Sequence, residues 1–152
     1  MIRLTNLADY AVVLMCHMAN NRDNLFSAQD LSKITDLPVP TVSKILGALS
    51  RADLLISQRG LHGGFRLEKE PTDVSIGQII EAIDGPIALV NCTDPDPNHC
   101  AISNTCELKA RWKIINDAVK GAMDGVSLDA IAEVDSTLKI EQQLCGALGR
   151  TN

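Results

Sequence analysis

The sequence predicts a mainly α fold with a small β-hairpin, and three observations carry that reading. Two short amphipathic runs are separated by the proline-bearing stretch Leu37-Pro38-Val39-Pro40. A glycine-rich segment, Gly60-Leu61-His62-Gly63-Gly64, joins two strand-like runs directly after them. A longer amphipathic run then follows a loop rich in cysteine and proline.

Taken in order, Thr5 is placed to cap a first helix reaching about Asn20, in which Leu7, Ala11, Leu14, Met15 and Met18 recur at helical spacing. Ser27-Ala28-Gln29-Asp30 opens a second helix as a capping box with Asp in place of the usual Glu. That helix ends near Asp36, because a proline disfavours helical geometry in the residue before it. Proline is tolerated in the first turn of a new helix, so a third helix is expected from Pro40 to Asp53. Val42, Ile45, Leu46 and Leu49 form its buried face, and Pro40, Lys44, Gly47 and Arg51 lie opposite. Leu54 to Arg59 and Phe65 to Glu68 read as the strands of a hairpin. Ser75 caps a fourth helix that carries Ile76, Ile79, Ile80 and Ile83, and Gly85 stops it, completing the helical domain. A fifth helix from about Cys106 bears Leu108, Trp112, Ile115, Val119 and Ala122 along one stripe, and Ser127 opens a short helix to about Val134.

A helix, a turn and a helix with a small, polar, basic outer face make a helix-turn-helix, and the hairpin after it reads as a wing. The expected architecture is thus a winged helix-turn-helix plus a long C-terminal dimerisation helix. Its parts are a DNA-binding domain over 1–85, a loop over 86–106, the dimerisation helix and short helix over 107–134, and a flexible tail over 135–152. With the core complete by Gly85, the stripe Leu108, Trp112, Ile115 and Val119 needs another cover. A second copy of the same helix is the simplest one, and folding back on the first helix is the competing assignment.

The net charge of −5 does not exclude nucleic acid, because the acidity lies in the second half. Residues 1–70 hold eight Lys/Arg against seven Asp/Glu, whereas 71–152 hold six against twelve. Between Pro40 and Arg66 the only acid is Asp53, set against Lys44, Arg51, Arg59 and Arg66. Double-stranded DNA is the expected partner, with Thr41, Ser43, Lys44 and Arg51 on the third helix and Arg59, Gly60 and His62 in the wing as candidate contacts. His62 has a second reading, as an exposed polar tip residue without a role. A leader peptide and a run of about 18 apolar residues are both missing, so a cytoplasmic protein without a membrane partner is expected. No nucleophile–base pair, phosphate loop or paired carboxylates stand out, so neither an enzyme nor a small-molecule substrate is expected.

Of five cysteines, Cys92, Cys100 and Cys106 fall within fifteen residues. Clustered cysteines in a reducing compartment point to metal or redox chemistry rather than disulfides. Thiolates are the preferred ligands of iron–sulfur clusters, and a proline-rich loop can gather them around one centre. A zinc site completed by His99 is the alternative, although zinc sites usually show tighter cysteine pairs than this spacing. Cys16 reads as a packing residue, and Cys145 has no partner in sequence.

These features resemble the IscR/NsrR-type winged-helix regulators of bacteria. The resemblance covers roughly residues 1–134 and rests on the start Met1-Ile2-Arg3-Leu4-Thr5 leading to Asp9-Tyr10-Ala11, on Arg59-Gly60-x-x-Gly63-Gly64-Phe65-x-Leu67, on Ile79-Ile80-Glu81-Ala82, and on the three cysteines. Leu37 to Leu46 and Gly85 to Leu89 look most like the branch that regulates the SUF iron–sulfur assembly operon. The resemblance implies an iron–sulfur cluster, 2Fe-2S or 4Fe-4S, on Cys92, Cys100 and Cys106. It implies that Thr41, Ser43 and Lys44 read the major groove, that Arg59 reaches the minor groove, and that the helix from Cys106 forms a homodimer. IscR-like members carry a histidine three residues after the last cysteine, where this chain has Lys109, which is protonated and cannot ligate. NsrR-like members use an aspartate of the first helix, donated by the other subunit. Asp9 occupies that place, so it is the first choice for the fourth ligand and His99 the second. The expected function is a repressor sensing cluster status and controlling SUF-type genes. The alternatives are a nitric oxide-sensing repressor and a clusterless or zinc-bound interaction subunit of the same fold.

Overall fold

The computed structural model describes residues 3–60, 63–94, 106 and 108–133. Helix α1 (Asn6–Ala19) starts where Thr5 Oγ1 accepts the Ala8 N–H at 3.1 Å. Helix α2 (Ala28–Thr35) opens with the expected capping box, in which Ser27 Oγ accepts the Asp30 N–H and Asp30 Oδ2 accepts the Ser27 N–H. It ends at Asp36, which takes a left-handed φ of 56°, a conformation that aspartate enters more readily than most residues. Helix α3 (Val39–Arg51) begins one residue earlier than expected, with Pro38 as its N-cap and Pro40 in its first turn, where no helical N–H is needed. It also stops two residues earlier, because Asp53 takes a φ of 55° and swings the chain into the hairpin.

Strands β1 (Leu55–Gln58) and β2 (Gly64–Leu67) pair antiparallel, with Leu55 opposite Leu67 and Gln58 opposite Gly64. Phe26, in the link between α1 and α2, adds a third backbone to the hairpin through reciprocal N–H to C=O bonds with Phe65 at 3.0 and 2.9 Å. This approach explains Gly64, since a Cβ there would stand 2.9 Å from the Phe26 carbonyl oxygen. Helix α4 (Ile76–Asp84) has a Ser75–Gln78 capping box and ends at Gly85, whose φ of 85° suits glycine. It packs against α1, α3 and α5 (Lys109–Asp124).

The core is one cluster that includes Leu14, Met15, Leu31, Val42, Ile45, Leu46, Leu49, Leu55, Val74 and Ile79. Cys16 is buried in it, as its packing role predicts. The core is not complete by Gly85. The chain after α5 returns to the residues before α4, where the Leu128 N–H donates to the Val74 carbonyl at 2.7 Å and the Ile76 N–H to the Val126 carbonyl at 2.9 Å. Helical residues 128–133 then insert Leu128 and Ala132 into the same cluster. The short helix opens at Ser127 as expected, with Ser127 Oγ accepting the Ala130 N–H at 3.3 Å, but the local pattern does not announce that Leu128 and Ala132 enter the core of the head. The tail over 135–152 lies outside the described residues.

Candidate nucleic-acid interface and metal centre

Helix α3 is held by four fully buried side chains, Val42, Ile45, Leu46 and Leu49, which fixes what its other side presents. Ser43, Lys44 and Arg51 are exposed there, and Thr41 is half-buried with its N–H bonded to the Pro38 carbonyl. Gly47 lies between the two basic positions, and the Arg51 guanidinium crosses it, with Nη1 3.5 Å from where a Cβ would stand. Arg59 and Gly60 are exposed at the end of β1, where Gly60 has a φ of 126° that only glycine adopts without strain. Across the tip, the Gly63 N–H closes onto the Gly60 carbonyl at 3.0 Å. His62 lies outside the described residues. Among the described residues none of Lys44, Arg51, Arg59 and Arg66 makes an ion pair, so their charge is available to a phosphate backbone.

The second candidate region lies at the start of α5. Cys92 sits in a turn held by the Thr93 N–H bond to the Val90 carbonyl, with Thr93 Oγ1 bonding the same oxygen at 2.8 Å. Cys106 lies just before α5, and both thiols are free and half-exposed. They line one cleft of about 540 Å³ together with Thr93, Ala110, Lys113 and Asn116. Cys100 and His99 lie outside the described residues. Asp9 is exposed in the first turn of α1. Among the described residues no three His, Cys, Asp or Glu side chains group as metal ligands, so Asp9 does not join the two cysteines within one protomer. Two thiols lining one cleft supply two of the donors that a thiolate-ligated group needs, and Asp117, which also lines it, is paired with Lys113. Lys109 opens α5 as its first residue.

Of the stripe assigned to dimerisation, Leu108, Trp112 and Ile115 are exposed, at 48%, 36% and 47%. Ile114, beside them, is 71% exposed and was not assigned. Val119 is half-buried and lines a cleft with Leu4, Ile80, Pro86 and Ile87. Beside this apolar contact, the flank of α5 turned to its own domain also carries polar groups. There Lys120 Nζ meets Glu81 Oε1 at 2.5 Å and Asp124 Oδ2 at 3.6 Å, and these carboxylates hold the Lys120 ammonium above its ordinary pKa. Asn116, buried on that flank, is a residue that sequence reasoning missed. The available signal was a lone carboxamide one position from the apolar stripe.

The chain is similar to known proteins over most of its length. A family model described as Rrf2, iron-dependent transcriptional regulator, matches residues 4–134. The HTH-type transcriptional regulator NsrR of Oceanobacillus iheyensis is 26% identical over 152 residues, covering 97% of each chain. Among solved structures, CymR, the global cysteine regulator of B. subtilis, superposes with a TM-score of 0.69 at 26% identity, over 88% of this chain and 98% of that one. IscR of T. potens shares the fold, with a TM-score of 0.65 at 20% identity over 88% of each chain.

Proposed function

Because the chain belongs to the Rrf2 family of iron-dependent transcriptional regulators, we propose that it is a homodimeric repressor whose grip on its operator follows an iron–sulfur cluster held by Cys92, Cys100 and Cys106. Family and fold make it a DNA-binding transcription regulator with a winged helix-turn-helix, and not an enzyme. No helix among the described residues is long and apolar enough to cross a membrane.

The observation that carries the sensing half is the convergence of Cys92 and Cys106 on one cleft at the start of α5. Cys100 is the third ligand, supplied by the loop between them. Asp9, exposed on α1, is the fourth and comes from the partner subunit across a dimer built on Leu108, Trp112, Ile115 and Val119. When bound, such a cluster would supply iron reactive toward nitric oxide or oxygen, and Asp9 would hold it more weakly than the thiolates of Cys92, Cys100 and Cys106. Several curated relatives carry the NsrR name, which favours the nitric oxide-sensing alternative over the SUF-operon branch. On the DNA side, Thr41, Ser43 and Lys44 enter the major groove, Arg51 braces the helix against phosphate, and Arg59, Gly60 and His62 approach the minor groove. The exposure of Ser43, Lys44, Arg51, Arg59 and Gly60 supports this assignment.

Anaerobic purification followed by absorbance, iron and sulfide analysis and an operator-shift titration tests the proposal. A brown dimer that binds a two-fold site and releases it on stoichiometric nitric oxide is expected. A colourless protein with stoichiometric zinc overturns the cluster. Release on iron starvation with indifference to nitric oxide returns the SUF-type reading to first place. Asp9→Ala is expected to shorten the cluster's lifetime while leaving the apo fold intact, and an unchanged lifetime removes Asp9 from the site.

A further inference from the structure

The short connector between α4 and the Cys92 turn forms no regular ladder, yet its polar backbone groups are bonded from two sides. From α5, Asn116 Oδ1 accepts the Leu89 N–H at 2.9 Å while Asn116 Nδ2 donates to the Ile87 carbonyl at 2.9 Å. One carboxamide therefore binds a donor and an acceptor two residues apart, which fixes both the position and the direction of the segment. From α4, Glu81 Oε1 accepts the Ile87 N–H at 3.3 Å and the Lys120 ammonium at 2.5 Å. Among the described residues Asn116 is the one buried polar or charged side chain, at 6% exposure. Burying a carboxamide costs free energy unless its donor and acceptor are used, so an apolar residue would serve plain packing at this position as well or better. Asn116 also lines the cleft that holds both thiols, and Cys92 follows shortly after Leu89, whose N–H Asn116 accepts.

We propose that Asn116 is a positioning residue: by seating the connector at Ile87 and Leu89 on α5, it sets where Cys92 stands relative to Cys106. The side chain does not ligate. It fixes the first sulfur to the helix that carries the last one. The inference rests on the reading of these thiols as cluster ligands, but its geometric content is testable without a cluster.

The full-length apo protein with Cys100→Ser and Cys145→Ser leaves Cys92 and Cys106 as its reactive thiols beside the buried Cys16. Dibromobimane, which fluoresces on bridging two nearby sulfurs, reports their mutual placement, and iodoacetamide reports the accessibility of each. Asn116→Leu, which keeps the branched heavy-atom skeleton, and Asn116→Ala, which adds no bulk, are both expected to slow bridging roughly tenfold, because small misplacement of reacting groups is costly. Alkylation of each single thiol, circular dichroism and apo-protein affinity for DNA should stay at parental values. Bridging at the parental rate in either folded variant overturns the proposal, as does an equal slowing of bridging and alkylation. In the reconstituted unmodified chain, Asn116→Leu should speed iron loss to a chelator roughly tenfold, the scale on which residues behind metal ligands act. If the parent takes up no cluster yet bridging falls in the variants, the cluster reading fails and the positioning role stands. If the cluster forms and both bridging and iron loss match the parent, the positioning role fails alone.

Discussion

The winged-helix head and helix α5 bury their side chains by opposite means. In the head, Val42, Ile45, Leu46 and Leu49 are wholly inaccessible, and every exposed position on α3 is held in place by that apolar anchor. Helix α5 turns a buried asparagine and a Lys120–Glu81 pair toward its own domain, and leaves Trp112, Ile114 and Ile115 in solvent. The head is therefore packed within one protomer around an apolar anchor. Helix α5 is docked by directional polar bonds and by Val119 against Ile80 and Ile87, and leaves the rest of its apolar stripe uncovered, which is the division expected if that stripe serves the dimer proposed above.

The contrast can be broken most severely in the head. Leu46→Ala is expected to destabilise the fold by about 2–5 kcal/mol, as large-to-small changes at closed sites do, and urea unfolding measures it. A loss well under that range means that the core yields more than its burial indicates. Trp112→Glu sharpens the other side: unfolding should change little, while sedimentation shows a monomer and affinity for a two-fold operator falls roughly a hundredfold through lost bivalency. A dimer that survives this change has its interface elsewhere.

On the reading face, Lys44→Ala should weaken operator binding by about 1–3 kcal/mol and relax the sequence preference if the side chain meets a base edge. A uniform loss across sequences with a shallower salt dependence assigns it to phosphate instead. The smallest effect is expected at the surface pair of Arg22 and Glu70, where the guanidinium holds the Glu70 carboxyl below its usual range. Because the folded carboxyl is the more acidic one, its contribution is present above the unfolded carboxylate pKa and is lost as pH falls through the folded value. Both partners are well exposed, so thermal melts of the parent and Glu70→Gln should differ slightly near neutrality, converge in acid, and converge in high salt.

The helices of the head were legible because their signals are local. Thr5, Ser27 and Ser75 cap within their own first turns, and the periodic apolar residues of α3 name their buried face without reference to any partner. The boundaries that shifted were those of α3, which starts at Val39 rather than Pro40 and stops short of Asp53, where a left-handed residue turns the chain and the sequence shows aspartate rather than glycine. For the site, cysteine spacing pointed to Cys92, Cys100 and Cys106, and of these Cys92 and Cys106 line one cleft. Asn116 was not legible, since its value depends on backbone groups of Ile87 and Leu89 that sequence distance does not bring to it.

The sequence by itself determined the order of helices and hairpin, the inward face of α3 and the basic character of its outer face, because helical period and capping chemistry act over a few residues. Tertiary structure alone decided that Phe26 extends the hairpin, that Leu128 and Ala132 enter a core begun more than a hundred residues earlier, and that α5 grips the connector through Asn116. Each of these depends on which backbone groups and cavities remain unfilled once the helices have packed, a quantity that no local pattern encodes.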